Sequence, residues 1–383
     1  MRIVRLANFV TAKSGGLRTA LRELGAGYAA AGHDPVLVVP GETYTRESTD
    51  QGEVITLPGP LVPGTGGYRV LVNRWSVARL LESLAPDRIE VSDRSTLRWT
   101  GTWARRHGVG SVMVSHESLA GLLRLAGSGG AATERVAGQL NAWTAARYDR
   151  IVCTTSWAAE EFRRIGVRNL DQVPLGVDLS GFHPDRYDAA LRAGYVAGDE
   201  LLLVHCSRLS AEKCPERSLT AVAELRRRGV AARLVVAGSG PLEERMRHRA
   251  TGEGLPVTFE GFVADRERLA GLLASADAVL APGPVETFGL AALEALASGT
   301  PVVVSAQSAL PEVVGEAGAA APGHGEAYAD AVLELMARPE ADRRRAARRR
   351  AETYTWPAAV SGFLRVHENI SDRPRRVYAL PRS

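Results

Sequence analysis

The chain has 383 residues, 45% hydrophobic and 23% charged, which is room for two ordinary domains with a globular composition. Its net charge of +4, sparse aromatics and lack of a recognition motif argue against nucleic acid as a partner. Cys153, Cys206 and Cys214 are odd in number and lack metal-ligand spacing, which points to a reduced, cytoplasmic compartment without a disulfide framework.

In chain order, short apolar β-rich runs alternate with longer helical patterns, the signature of parallel sheets built from βαβ units. The first ten residues lack the apolar stretch of a signal peptide and read as a strand. The first half predicts strands at 3–7, 35–39, 53–57, 88–91, 111–115 and 151–154, and helices at 19–31, 77–84 and 158–165. A Pro- and Gly-rich linker at 174–184 breaks both periodicities. Strands follow at 201–206, 233–237, 257–260, 278–281 and 301–304, spaced by helices at 215–228 and 242–250. The stretch 343–366 reads as helical, and the tail 371–383 as loosely ordered. No apolar run reaches the roughly 20 residues that span a bilayer.

In open α/β sheets, ligands bind beyond the carboxyl ends of the strands, and the informative motifs fall there. Gly15 and Gly16 open the first helix and allow a ligand close to the backbone, while Arg18 in its first turn opposes the helix dipole. His116 follows the fifth strand, where it can reach a sugar hydroxyl or hold a loop. Arg208 and Lys213 follow the first strand of the second half; a guanidinium grips phosphate bidentately and an ammonium acts as a point charge. Gly238 lies in a Gly-Ser-Gly turn that lacks the third glycine of a dinucleotide fingerprint. The turn ending at Val263 is placed to meet a nucleotide base through its backbone. Glu286 and Glu294 flank the start of a helix, about 12 Å apart along the axis if the whole span were helical. That is too far for a glycosidase pair. It suits one carboxylate on a sugar and one on a ribose, with a diphosphate between them on helix-start amides.

Taken together, Gly15-Gly16, His116, the segment ending at Asp178, Arg208, Lys213, the glycine turn at 238–240 and the Glu286–Glu294 spacing resemble the two-domain retaining glycosyltransferases of the GT-B architecture, family 4. The stretches 14–20, 90–94, 174–178 and 281–284 are similar to actinobacterial GDP-mannose-dependent mannosyltransferases of the phosphatidylinositol mannoside type. Ser207, Cys214 and Leu175 depart from the wider pattern, which has Gly, Gly and Asn at those places.

The resemblance implies an α/β fold of two tandem Rossmann-like, doubly wound parallel-sheet domains with an interdomain cleft. An acceptor domain at 1–178, completed by a C-terminal helix at about 358–383, precedes a donor domain at 179–357. It assigns His116, Arg208, Lys213 and Glu286 to catalysis. Gly16, Arg208, Lys213, Gly238, Val263, Glu286, Phe288, Gly289, Leu290 and Glu294 go to the nucleotide-sugar donor, and Gly15, Arg18 and His116 to the acceptor side. No metal and no other cofactor is expected; the donor is GDP-mannose and the acceptor a glycolipid. Arg runs at 105–106, 163–164, 226–228, 343–345 and 348–350 suggest peripheral contact with an anionic membrane, with residues 58–67 and 119–125 on the acceptor side. Alternatives are another nucleotide sugar with a soluble acceptor, a non-catalytic nucleotide-binding protein, and a sugar-nucleotide epimerase or phosphorylase.

Overall fold

The computed structural model describes residues 1–10, 15–63, 67–125, 127 and 130–372. These form two compact units. Met1–His116, Gly130–Pro174 and the chain from Trp356 onward make the first; Glu117–Gly129 and Leu175–Thr355 make the second.

The first half runs β1 (Arg2–Leu6), α1 (Gly16–Ala30), β2 (Asp34–Gly41), β3 (Thr45–Thr49), β4 (Gly52–Pro58), α2 (Arg74–Leu84), β5 (Arg88–Val91), α3 (Trp99–His107), β6 (Gly110–Ser115), α4 (Leu119–Leu125), α5 (Ala131–Ala145), β7 (Arg150–Cys153), α6 (Ser156–Arg163) and β8 (Leu170–Gln172). Its sheet has the order β3-β4-β2-β1-β5-β6-β7-β8, with β3 antiparallel to β4 and the other pairs parallel. Strand side chains alternate between faces. Val4, Leu6, Val36 and Val38 pack with α2, α3, α5 and α6, whereas Ala7 and Leu37 pack with α1 on the opposite face.

The second half runs α7 (Ala189–Ala193), β9 (Leu201–Cys206), α8 (Glu216–Arg227), β10 (Ala232–Ala237), α9 (Glu243–Gly252), β11 (Val257–Gly261), α10 (Arg266–Ser275), β12 (Ala278–Ala281), α11 (Leu290–Ala297), β13 (Val302–Ser305), α12 (Leu310–Val314), β14 (Gly318–Ala321), α13 (Glu326–Met336) and α14 (Glu340–Glu352), and the chain closes with α15 (Trp356–Glu368). The second sheet is wholly parallel, in the order β11-β10-β9-β12-β13-β14. In each sheet the first strand sits where the winding reverses, with β1 between β2 and β5 and β9 between β10 and β12. Such a switch point opens a crevice at the strands' carboxyl ends, so the loops after β1, β5, β9 and β12 are the ones placed to hold a ligand.

The helix expected at 343–366 is two helices. The chain breaks at Thr353–Thr355, where the Tyr354 carbonyl accepts from the Val177 amide at 3.1 Å, and Pro357 suits the first turn of a new helix. α15 returns to the first unit. Val360 fills the space a side chain at Gly27 of α1 would need, and Val173 the space beside Gly362. Arg88 donates to the His367 and Ile370 carbonyls at 3.0 and 3.1 Å. Fully buried Glu90 accepts from Tyr28 at 2.8 Å and hydrogen-bonds His367 at 3.0 Å. Burial works against that carboxylate, but His367, Arg5 and Tyr28 hold its pKa below the ordinary value. Among the described residues no helix is long and apolar enough to cross a membrane, and the three cysteines are free thiols. The tail from residue 373 lies outside the described residues.

Candidate functional site

β9 is a buried apolar strand whose last turn is held by His205. The imidazole is fully buried and hydrogen-bonds Ser218 at 3.0 Å and Ser207 at 2.9 Å. Burial, helped by the nearby Lys213 charge, pushes its pKa down to about 4, so it is neutral and serves as a bolt. The chain then exits through Arg208 into a 3₁₀ turn at Ala211–Lys213.

Arg208 donates to Glu212 at 2.8 Å, and Glu212 also accepts from Ser210 at 2.5 Å. Lys213 forms an ion pair with Glu286, which arrives on the loop after β12; both side chains are about one-fifth exposed. Arg208, Lys213 and Glu286 therefore flank the second sheet's switch point, as carriers of opposite charge on facing loops. Cys214 takes a left-handed conformation, φ 45°, the region that favours glycine.

Gly238 has a structural reason to be glycine. A Cβ there would overlap the Ser207 carbonyl oxygen, and one at Gly240 would lie 2.5 Å from the Leu209 carbonyl. The Leu209 amide donates to Ser239 at 3.1 Å and the Leu242 amide to Leu209 at 2.9 Å. The glycine turn after β10 is thus pressed against the Arg208 loop and fixes its path. Val263 lies half-buried in the loop after β11.

The span from Glu286 to Glu294 is not one helix. Glu286–Gly289 are non-helical, with a bend at Thr287–Phe288, Gly289 is left-handed at φ 77°, and α11 begins at Leu290. The 12 Å axial spacing does not apply, because the four residues before Leu290 do not rise along the helix axis. A side chain at Gly289 would also collide with Leu310. Phe288 and Leu290 are buried, Phe288 edge-on to Tyr354, so only their main-chain groups can face a ligand. A helix start leaves its first amides outside the intrahelical ladder.

Glu294 lies within α11. Burial pushes its carboxyl up to about 7; Arg266 opposes this and Asp178 adds to it. Arg266 lies 3.8 Å from Glu294 and 3.9 Å from Asp178, with its guanidinium 4.9 Å from the centre of the Phe182 ring. Sequence reasoning missed Arg266. The available signal was a cation in the first turn of α10, the same misfit with the helix dipole that singles out Arg18.

In the first unit, Gly15 caps α1, Gly16 begins it, and Arg18 lies in its first turn. Phe9, two residues after Ala7, is left-handed at φ 59°, a strained conformation of the kind that collects at ligand sites. His116 follows β6 and hydrogen-bonds Ser92, which follows β5, at 3.1 Å. Burial pushes its pKa down to about 4, with Glu90 opposing and Arg94 adding, so the ring is neutral. Gly16 and His116 thus both stand at the carboxyl edge of the first sheet, on loops of strands two apart. Part of the 58–67 loop lies outside the described residues. Among the described residues, no group of three or more His, Cys, Asp or Glu is placed to hold a metal ion.

Residues 190–353 match the family of glycosyl transferases group 1, and residues 15–176 the glycosyl transferase 4-like domain. The chain is 53% identical over 368 residues, 95% of both chains, to the GDP-mannose-dependent alpha-(1-6)-phosphatidylinositol dimannoside mannosyltransferase of Mycobacterium tuberculosis. The chain belongs to this glycosyltransferase family. A D-inositol 3-phosphate glycosyltransferase of Mycolicibacterium smegmatis is 32% identical over 56% of this chain and 52% of its own length. Among solved structures, sucrose-phosphate synthase from Thermosynechococcus elongatus superposes with a TM-score of 0.77 at 21% identity, covering 96% of this chain and 98% of that one. Anabaena HepE in complex with UDP and glucose gives 0.74 at 17% identity, over 96% and 99%. At such identities these two structures establish the fold alone, the two-sheet architecture of GT-B glycosyltransferases.

Proposed function

We propose that this glycosyltransferase moves mannose from GDP-mannose to a hydroxyl of a phosphatidylinositol mannoside acceptor. The identity with the mycobacterial mannosyltransferase over nearly the whole of both chains carries the reading of donor and acceptor. The facing cations and carboxylates at the β9 and β12 loops support the chemistry.

In this reading the donor diphosphate binds between Arg208, Lys213 and the first amides of α11. The Arg208–Glu212 pair is partly exposed and spaced i,i+4, the kind of pair worth about 0.3–0.5 kcal/mol, so phosphate displaces Glu212 at little cost. Phosphate likewise takes Lys213 from Glu286, and the released carboxylate accepts hydrogen bonds from the mannose hydroxyls. Glu294 accepts from the ribose diol. Val263 contributes its backbone near the base, and Gly238 holds the Arg208 loop.

The acceptor oxygen attacks the anomeric carbon as the bond to the departing diphosphate breaks. The acceptor proton passes to a diphosphate oxygen. Because donor and product are both alpha-linked, attack is from the face the diphosphate leaves, with retention. Gly15, Gly16, Arg18 and the neutral His116 serve the acceptor side, His116 as a hydrogen-bonding partner rather than a charge. The enzyme works at the inner face of the membrane, where a lipid acceptor presents its headgroup.

The test is a panel of nucleotide sugars assayed for nucleoside diphosphate release with and without phosphatidylinositol dimannoside. GDP-mannose with the acceptor is expected to release GDP, and Lys213→Ala to lower kcat at least tenfold with the fold intact, since loss of one such charge-stabilising donor costs about 3–4 kcal/mol. Turnover with a different nucleotide sugar alone, or wild-type kcat in the variant, would reject the assignment.

A further inference from the structure

The first unit carries a second feature that the transfer reaction does not use. Helices α2, α3 and α5 line a half-open groove of about 520 Å³. Arg74, Arg98, Arg106 and Arg147 line it, and no carboxylate does. Most arginine runs elsewhere are neutralised on their own surfaces. Arg227 and Arg228 pair with Glu224, Arg344 with Glu340, and Arg348 with Glu352. Among the described residues, none of the four cavity arginines pairs with a carboxylate. Arg98 gives one hydrogen bond to Thr144 at 3.1 Å, and Arg147 one to the Trp143 carbonyl at 2.7 Å, which leaves most of their ten N–H donors for something else.

Convergence of like charges is costly unless an anion compensates it. Arg98 feels that cost: burial lowers its pKa and Arg147 lowers it further, while Tyr148 and the Asp93 carboxylate, which does not line the groove, offset this only in part. Tryptophans wall the cavity. Trp99 lies under the Arg74 guanidinium at 6.0 Å, Trp103 stacks on His107 at 4.3 Å, and Trp143 is 55% exposed at the rim. The buried indole Nε1 of Trp103 has no hydrogen-bond partner, an orphan donor beside a lining rich in guanidinium donors.

We propose that this groove binds a phosphate ester, with the phosphate among Arg74, Arg98, Arg106 and Arg147 and the esterified alcohol against Trp99 and Trp143. Guanidinium forks match phosphate oxygens bidentately, and an indole offers apolar area beside a polar edge. The ester is either a free small molecule or the headgroup of an anionic lipid. This site is independent of which sugar the enzyme transfers.

The experiment uses the full chain in two arms. One titrates glycerol 3-phosphate against tryptophan fluorescence. The other sediments the protein with phosphatidylcholine vesicles with and without phosphatidylglycerol, which lacks the inositol of the proposed acceptor. Arg98→Gln/Arg147→Gln is expected to weaken binding at least about tenfold, the effect of some 1.4 kcal/mol, whereas Lys213→Ala leaves it unchanged. Should the half-buried pair not tolerate substitution, the exposed pair Arg74→Gln/Arg106→Gln gives the same readout. Loss in both arms supports a site open to either source. Loss in the vesicle arm alone assigns it to a lipid headgroup, and loss in the soluble arm alone to a free phosphate ester. Absence of wild-type binding in both arms, or equal binding by both double variants, overturns the proposal.

Discussion

Glu294 is a carboxyl whose electrostatics depart far from what its letter suggests. Its pKa is raised from 4.5 to about 7 by burial, against Arg266 and with Asp178. A raised carboxyl stabilises the fold in its protonated form. That contribution is fully present below 4.5 and is lost as pH rises through about 7. A ribose diol, which donates two hydrogen bonds, prefers the ionised form. Unliganded thermal stability is therefore expected to fall, and nucleotide affinity to rise by up to about tenfold per pH unit, as neutrality is approached from below. Titration calorimetry of GDP across that window checks it, and Glu294→Gln should flatten both trends; an unchanged slope in the variant would reject the account. The placement of the carboxylates and cations at the exits of β9 and β12 was legible in the sequence because charged side chains beside glycines at strand exits have few structural uses. Arg266 was not, since its partners Glu294 and Asp178 are distant in the chain and only the fold brings them to it.

Among the elements, the strands that were legible are the buried ones. β9 and β12 fall at 201–206 and 278–281, as their uninterrupted apolar runs predict. β3 was missed because Thr45–Thr49 is polar and mostly exposed at a sheet edge. β8 is three residues long, and β14 is built of Gly and Ala, which carry no strand preference. α3 was hidden by Thr, Trp and Gly, all poorer helix formers than Ala. The loops matter more than the strands at this scale. Because the Ser207 carbonyl occupies the place of a Gly238 side chain, Gly238→Ala is expected to cost about 1–3 kcal/mol of stability, as overpacking does. It should also weaken GDP binding by displacing Arg208. Thermal unfolding with and without GDP separates the two effects; a variant with wild-type Tm and affinity would show that the turn after β10 yields freely.

For the whole molecule, fold class and the order of the two sheets followed from alternation of strands and helices. Which unit owns the last helix was not a matter of pattern, since α15 has the amphipathic periodicity of any surface helix. The proposed chemistry meets the diphosphate charge with Arg208, Lys213 and backbone amides. Activity on GDP-mannose is therefore expected to persist in excess EDTA; a strict requirement for added divalent ion would overturn that distribution of charge.

α15 covers α1 and supplies His367 to a carboxylate buried in the first sheet, yet it is encoded after every residue of the second. On the ribosome the order of completion is inverted: the later-encoded sheet has all its strands while the earlier one still lacks its cover. A fragment ending at the linker would expose the α1 surface and strand Glu90 without His367, so dissecting this enzyme into halves calls for a circularly permuted chain that carries the last helix to the front.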